Sequence, residues 1–460
     1  MQVVVRVANL ALGALVTALI VRTLGKEGYG EWSSGFVVIA LIAYFANFGM
    51  EGVAVREAAR EPEHEHEWIG AVMLLRLMVM VPVMLCSTAA LIAVATSHEM
   101  LVAGLIMIVA MPFGGVGAIG LLFQLRVNNR VPMIVLTLRS VLWGIAVLII
   151  FRDHGGMVDL AIALVLTNFI GSVVQAIAAT KLGARMPRPA LSRLRPLVSA
   201  GLPIGISTLL VISYGRIDQL IVFLINGPGP AGLYSSVYTL LDQSQFVPVS
   251  VLTTLAPVMA ASWPADRARM LRTARLTAEL MAVTSLGGLA FAIVASTKVV
   301  VLIFGQEFAP AAPALPVLGA AFVFICFGYL TDNVLFVIGR QGRLVWIAVI
   351  GLIVNLCGNL ALVPAVGFMG AAWMTLVTEI VVFAASAWLI RRALDLPLPR
   401  AGRIGRTLLA AVLLGLALEA LSLLSASLAV LIVFACLCYP ALLFGLRAVG
   451  MDDVRVVLGR

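Results

Sequence analysis

Leu19-Ile20-Val21-Arg22-Thr23-Leu24-Gly25-Lys26-Glu27-Gly28-Tyr29-Gly30-Glu31-Trp32-Ser33-Ser34 is polar punctuation between two apolar runs. The run before it, Val3 to Leu24, is long enough to cross a hydrocarbon core, which takes about 20 residues as a helix. It ends on a glycine-rich turn and not on a small-residue cleavage site, so it reads as a first membrane helix rather than a secretory signal. The run after it, at 32–53, is a second crossing. Three glycines within six residues predict that the chain reverses here in a tight turn.

Working outward, the same alternation of apolar run and short polar gap continues through all 460 residues. Hydrophobic residues make up 62% and charged residues 12%, and the mean hydropathy is +1.10. Soluble domains carry roughly 45–50% apolar residues, so most of this surface faces lipid. Further crossings are expected at 69–95, 100–123, 133–151, 158–180, 197–225, 233–262, 276–303, 314–338, 344–364, 368–390, 407–425 and 428–447. The fold class is therefore an all-α polytopic membrane protein of about 14 transmembrane helices.

The charges support that count. Alternate gaps hold 23 Lys and Arg residues, from Arg56 and Arg60 to Arg455 and Arg460, whereas the opposite gaps hold only Arg22, Lys26 and Arg152. Under the positive-inside rule the first set of gaps and both termini are cytoplasmic. The formal net charge of +9 is thus a topology signal; no basic stripe with interleaved aromatics suggests a nucleic-acid partner. Cys86, Cys326, Cys357, Cys436 and Cys438 lie in apolar runs without metal-ligand or disulfide spacing.

The opening turn has a counterpart about 200 residues on. Gly227-Pro228-Gly229-Pro230-Ala231-Gly232-Leu233-Tyr234-Ser235-Ser236 follows Leu220-Ile221-Val222, as the first turn follows Leu19-Ile20-Val21. Both preceding helices run outward, so the duplication is parallel, about an axis along the membrane normal. It predicts two pseudo-symmetric six-helix bundles, residues 1–190 and 191–395, followed by two additional transmembrane helices and a cytoplasmic tail at 396–460.

These features resemble a known family. The Arg22-x-Leu24-Gly25-x-x-Gly28-Tyr29-Gly30 turn, Asn47-Phe48-Gly49 followed by Arg56, Gly201-Leu202-Pro203, Arg216-x-Asp218, Gly232-x-Tyr234-Ser235 and Leu302-Ile303-Phe304-Gly305-x-x-Phe308 together resemble the polysaccharide-type (Wzx-like) flippases. Their superfamily also contains the MATE drug exporters and the lipid II flippase. The resemblance implies a transporter in the cytoplasmic (inner) membrane that flips an isoprenoid diphosphate-linked oligosaccharide by alternating access. It implies H+ or Na+ coupling, polysaccharide assembly proteins as partners, and no cofactor. Two other readings share the membrane plan: a MATE-like cation-coupled exporter of small molecules, and a polytopic sugar polymerase or ligase. The short outward gaps disfavour the polymerase, which needs sizeable outer loops.

Charges inside apolar runs cost several kcal/mol and are functional candidates by default. Arg76, Arg139 and Arg216 could bind the diphosphate, because guanidinium forks match phosphate oxygens bidentately. Asp218, Asp242, Asp332 and Glu379 are candidates for ion coupling. Plainer readings are open for each: snorkelling for Arg76 and Arg139, an inter-helix ion pair for Arg216, and satisfied inter-helix hydrogen bonds for the acids. On an unbroken helix Arg216 and Asp218 would point about 200° apart, unless Gly215 marks a break. Pro203, Pro248 and Pro257 sit inside spans and permit bending. Gly115-x-Gly117-x-x-Gly120 imitates a dinucleotide fingerprint but follows no strand, and small-residue helix packing is its expected role. Glu63-His64-Glu65-His66-Glu67 is expected to be a solvated turn and not a metal site.

Overall fold

The computed structural model describes residues 2–46, 49–112, 120–125, 130–181, 188, 190–394 and 401–449. Among them every regular element is helical. Asn47, Phe48, Gly115, Gly117, Arg455 and Arg460, named above, lie outside the described residues, as do Arg126, Arg185 and Arg400 of the positively charged gaps. The chain forms two compact units, 1–232 and 233–460.

In the first unit, α1 (Gln2–Ala43) bends at Gly25, whose φ of 66° and ψ of −177° interrupt the helical path. That bend is the expected turn between the first two crossings. The second crossing does not continue to residue 53 as expected. A 3₁₀ turn at Tyr44–Ala46 and left-handed Gly49 (φ 65°) end it, and α2 (Met50–Arg60) begins anew. Then come α3 (Glu65–Val94), α4 (His98–Val109), α5 (Gly120–Leu125), α6 (Arg130–Arg152), α7 (Met157–Lys181), α8 (Leu191–Tyr214) and α9 (Ile217–Asn226). The expected single helix at 197–225 is thus two helices, broken at Gly215-Arg216, so the geometry that assumed continuity does not apply.

In α10 (Pro228–Ser244) the chain passes into the second unit, which continues with α11 (Phe246–Ser262), α12 (Arg267–Phe304), α13 (Ala314–Val337), α14 (Leu344–Val366), α15 (Phe368–Ala393), α16 (Ala401–Leu423) and α17 (Leu428–Gly445). Gln245 separates α10 from α11 where one crossing was expected. Pro248 lies in the first turn of α11, where a missing N–H costs nothing, and Pro257 and Pro203 lie inside helices.

Eleven helical stretches among the described residues are long and apolar enough to span a membrane, from Pro62–Val94 to Leu428–Gly445. They coincide with eleven of the fourteen expected crossings. α3 shows how such a helix is built. Arg76, Met80, Val83, Ser87 and Leu91 are buried along one stripe, while Leu77, Val81, Leu85 and Ile92 are exposed along another. The polar members of the two stripes, Arg76 and Ser87, both point inward, as a lipid solvent demands.

Packing differs between the units. In the first, Met50, Val53, Ala54 and Ala58 of α2 pack on Trp68, Ile69, Ala71 and Val72 of α3, with Leu121 and Leu197 completing the cluster. In the second, Ala290 and Ala295 of α12 meet Ala411, Leu414 and Leu418 of α16 and Leu431 of α17. Polar groups pin these last two helices down. Lys298 donates to Ser422 Oγ (3.1 Å) and the Ala426 carbonyl (2.9 Å), Arg403 pairs with Glu279 (2.7 Å), and the Tyr439 hydroxyl donates to the Val283 carbonyl (2.7 Å). Gly287 leaves room for the Tyr439 ring.

Candidate functional site

The three arginines have different surroundings. Arg76 is 6% exposed on the inner stripe of α3, and its guanidinium is paired with Glu51 in the first turn of α2. It is held between two helices. Arg139 of α6 is exposed and donates to Asn168 Oδ1 on α7. Its aliphatic arm lies over Gly171, where any Cβ would collide with it. Arg216 occupies the break between α8 and α9, with φ −134° and ψ −18°, and its side chain does not cap α9.

That break also explains Asp218, which is 1% exposed. It falls in the first turn of α9, and its carboxylate accepts from the Gln219 amide at 2.8 Å. The unpaired amides and positive dipole end of a helix stabilise an anion there. Asp218 is thus tied to its own helix start.

The second unit gathers the other acids on a polar track. Tyr234, Tyr238, Asp242 and Gln245 follow one another at spacings of four, four and three, one face of α10 and its continuation. The Tyr234 hydroxyl meets Thr375 Oγ1 of α15 at 3.0 Å, and the Tyr234 and Tyr238 rings lie 5.5 Å apart. Gln245 donates to Asp242 Oδ1 at 3.3 Å and accepts from the Tyr329 hydroxyl of α13 at 2.9 Å. One turn beyond Tyr329, Asp332 accepts from Ser386 Oγ of α15 at 3.3 Å. Thr375, Glu379 and Ser386 share a face of α15 over about 16 Å of helix rise. Asn355 and Asn359 of α14 are buried too, with the Asn359 amide donating to Asn355 Oδ1 at 3.0 Å. No group of His, Cys, Asp and Glu among the described residues is arranged to hold a metal ion.

Asp242, Asp332 and Glu379 are therefore brought to one track, and Gln245, Tyr329 and Ser386 are partners that sequence reasoning missed. The i, i+3 spacing of Asp242 to Gln245 and of Tyr329 to Asp332 is a signal that could have found two of them. Tyr329→Phe removes one hydrogen bond and little else. It is expected to lower unfolding stability by about 1 kcal/mol; an unchanged thermal midpoint would show that the bond contributes nothing.

The acidic and histidine-rich turn has an occupant of its own. Arg193 pairs with Glu61 at 3.0 Å and Glu67 at 3.1 Å, and its guanidinium lies 4.9 Å from the Trp68 ring centre. His64 Nδ1 is 3.1 Å from Glu67 Oε1. These carboxylates anchor the first turn of α8.

With this geometry in place, the chain can be set beside known proteins. The profile of the family described as "Polysaccharide biosynthesis protein" matches residues 2–263. The chain belongs to that family. It is also 29% identical over 99 residues to an uncharacterized membrane protein of Methanocaldococcus jannaschii, a match spanning 22% of this chain and 20% of that one. Among solved structures, the lipid II flippase MurJ in an inward closed conformation matches with a TM-score of 0.77 and 12% identity over 99% of both chains. An inward-facing multidrug resistance MATE family transporter of the MOP superfamily matches with a TM-score of 0.69 and 18% identity, over 83% of this chain and 95% of that one. At such identities the likeness is one of fold: a multi-pass membrane protein built like the MOP-superfamily transporters.

Proposed function

We propose that this family member flips an isoprenoid diphosphate-linked oligosaccharide across the cytoplasmic membrane during surface polysaccharide synthesis. The observation that carries the reading is the family match, taken with a fold that aligns over 99% of the chain with a lipid flippase and over 83% with a drug exporter. The remaining features follow from it. Fourteen crossings with both termini cytoplasmic comprise parallel repeats at 1–190 and 191–395, with 396–460 appended. The repeats alternate access to the two membrane faces.

Chemistry gives each polar group a task. Arg76, Arg139 and Arg216 are cations in apolar helices, suited to a diphosphate that must leave water. In this reading the carboxylate of Glu51 holds Arg76 until a phosphate replaces it. The track from Asp242 through Tyr329 and Glu379 to Asp332 couples substrate movement to H+ or Na+, because intramembrane acids change charge at tolerable cost only where polar partners receive them.

Deleting the gene in its host tests the function directly. The expected outcome is accumulated lipid-linked oligosaccharide, lost surface glycan and unchanged drug tolerance. Intact glycan with new drug sensitivity would transfer the protein to the exporters, and intact glycan with unpolymerised repeat units on the outer face would indicate a polymerase.

A further inference from the structure

The two repeated turns touch each other, and they do so reciprocally. Gly30 stands five residues after Gly25, and Gly232 five after Gly227. A Cβ built on Gly30 would overlap the Pro228 carbonyl and stand 2.9 Å from the Gly232 amide nitrogen. A Cβ built on Gly232 would overlap the Lys26 carbonyl and stand 3.0 Å from the Gly30 amide nitrogen. Lys26 and Pro228 are themselves equivalent, each directly following the first glycine of its turn. Position five of either turn therefore meets positions one and five of the other, the pattern of an isologous two-fold contact.

The turns match in conformation as well as in sequence. Gly25 has φ 66° and ψ −177°, and Gly227 has φ 86° and ψ −178°. Side-chain-bearing residues are essentially excluded from this region, so glycine is needed to make each bend. A second glycine is then needed to let the bends meet backbone to backbone. Tyr29, Gly30, Gly229 and Ala231 are buried. The first turn is also braced from behind: Glu31 accepts from Thr96 Oγ1 at 2.8 Å and from Ser97 Oγ at 2.5 Å, in the link between α3 and α4.

We propose that this glycine knuckle is a latch closing the outward end of the pathway, formed when the turns dock and broken each time the pathway opens outward. The assignment to the outward end rests on the topology of the transport reading above. The docking itself rests only on the contact geometry. Backbone-to-backbone contact suits a reversible latch, because it has no side chains to interdigitate and re-sort as it parts. Small residues permit the same close approach between membrane helices.

Two measurements test it, on the full chain with Cys86, Cys326, Cys357, Cys436 and Cys438 replaced by Ala. A Cβ on Gly229 would lie 3.7 Å from Glu27 Cγ, within reach of a disulfide. Glu27→Cys with Gly229→Cys should cross-link under oxidation and stop transport, and reductant should restore it, while each single variant transports normally. Failure to cross-link, or transport undiminished by a formed cross-link, would overturn the latch. The second measurement needs no substrate. In purified protein, Gly229→Cys should react with a bulky maleimide at least tenfold faster when Gly30→Ala or Gly232→Ala is also present. An unchanged rate in both would also overturn it. If wild-type protein moves no lipid-linked sugar yet the maleimide result holds, the flippase reading fails and the latch stands.

Discussion

Arg216→Ala is expected to reduce transport of lipid-linked oligosaccharide about 100-fold. Two charge-assisted hydrogen bonds to a diphosphate are together worth about 3 kcal/mol, and each 1.4 kcal/mol is about tenfold. The start of the following helix survives the change. Arg216 lies between α8 and α9 and does not cap the helix that follows. The start of α9 is served by Asp218 through the Gln219 amide, so truncating the arginine removes no helix cap. Arg216→Lys keeps the charge but loses the planar fork, and should fall between wild type and alanine. Transport at the wild-type rate by Arg216→Ala would remove this residue from the substrate path. A drop in midpoint of several degrees would make it a structural ion pair instead.

How far the sequence carried this picture depends on the range of the interactions. Apolar run length is a local property, and it located the eleven spans among the described residues. The glycine turn was legible for the same reason, since a positive φ at Gly25 or Gly227 is written into the residue that adopts it. Helix continuity was less legible. Tyr44–Ala46, Gly49, Gly215-Arg216 and Gln245 all interrupt apolar runs whose composition predicts uninterrupted helix. At Gln245 the side chain is hydrogen-bonded to Asp242 and to Tyr329, which is 84 residues away. No period of 3.6 residues reports such a partner.

The arginines show the same division. That Arg76 faces inward follows from its place in a stripe with Met80, Val83 and Ser87. That Glu51 meets it does not, because Glu51 was expected near the end of a helix that in fact stops and restarts at Gly49. The restart places Glu51 in the first turn of α2, across from α3.

The Arg76 and Glu51 pair yields the second large expected effect, and it separates structure from transport. Arg76 is buried, so Glu51→Leu takes a carboxylate from a guanidinium held between two helices, at a cost of about 2 kcal/mol. A fall of a few degrees in the thermal midpoint is expected. Replacing both groups, as Arg76→Met with Glu51→Leu, removes the cation along with this carboxylate. Well-packed apolar replacements of buried ion pairs are often neutral or stabilising, so the midpoint should return to near its wild-type value. The double variant is then a folded protein without the guanidinium. If Arg76 exchanges Glu51 for a substrate phosphate, the double variant stays inactive despite its restored stability. If the pair only joins α2 to α3, transport returns with the fold, and the diphosphate site must be sought at Arg139 and Arg216 alone.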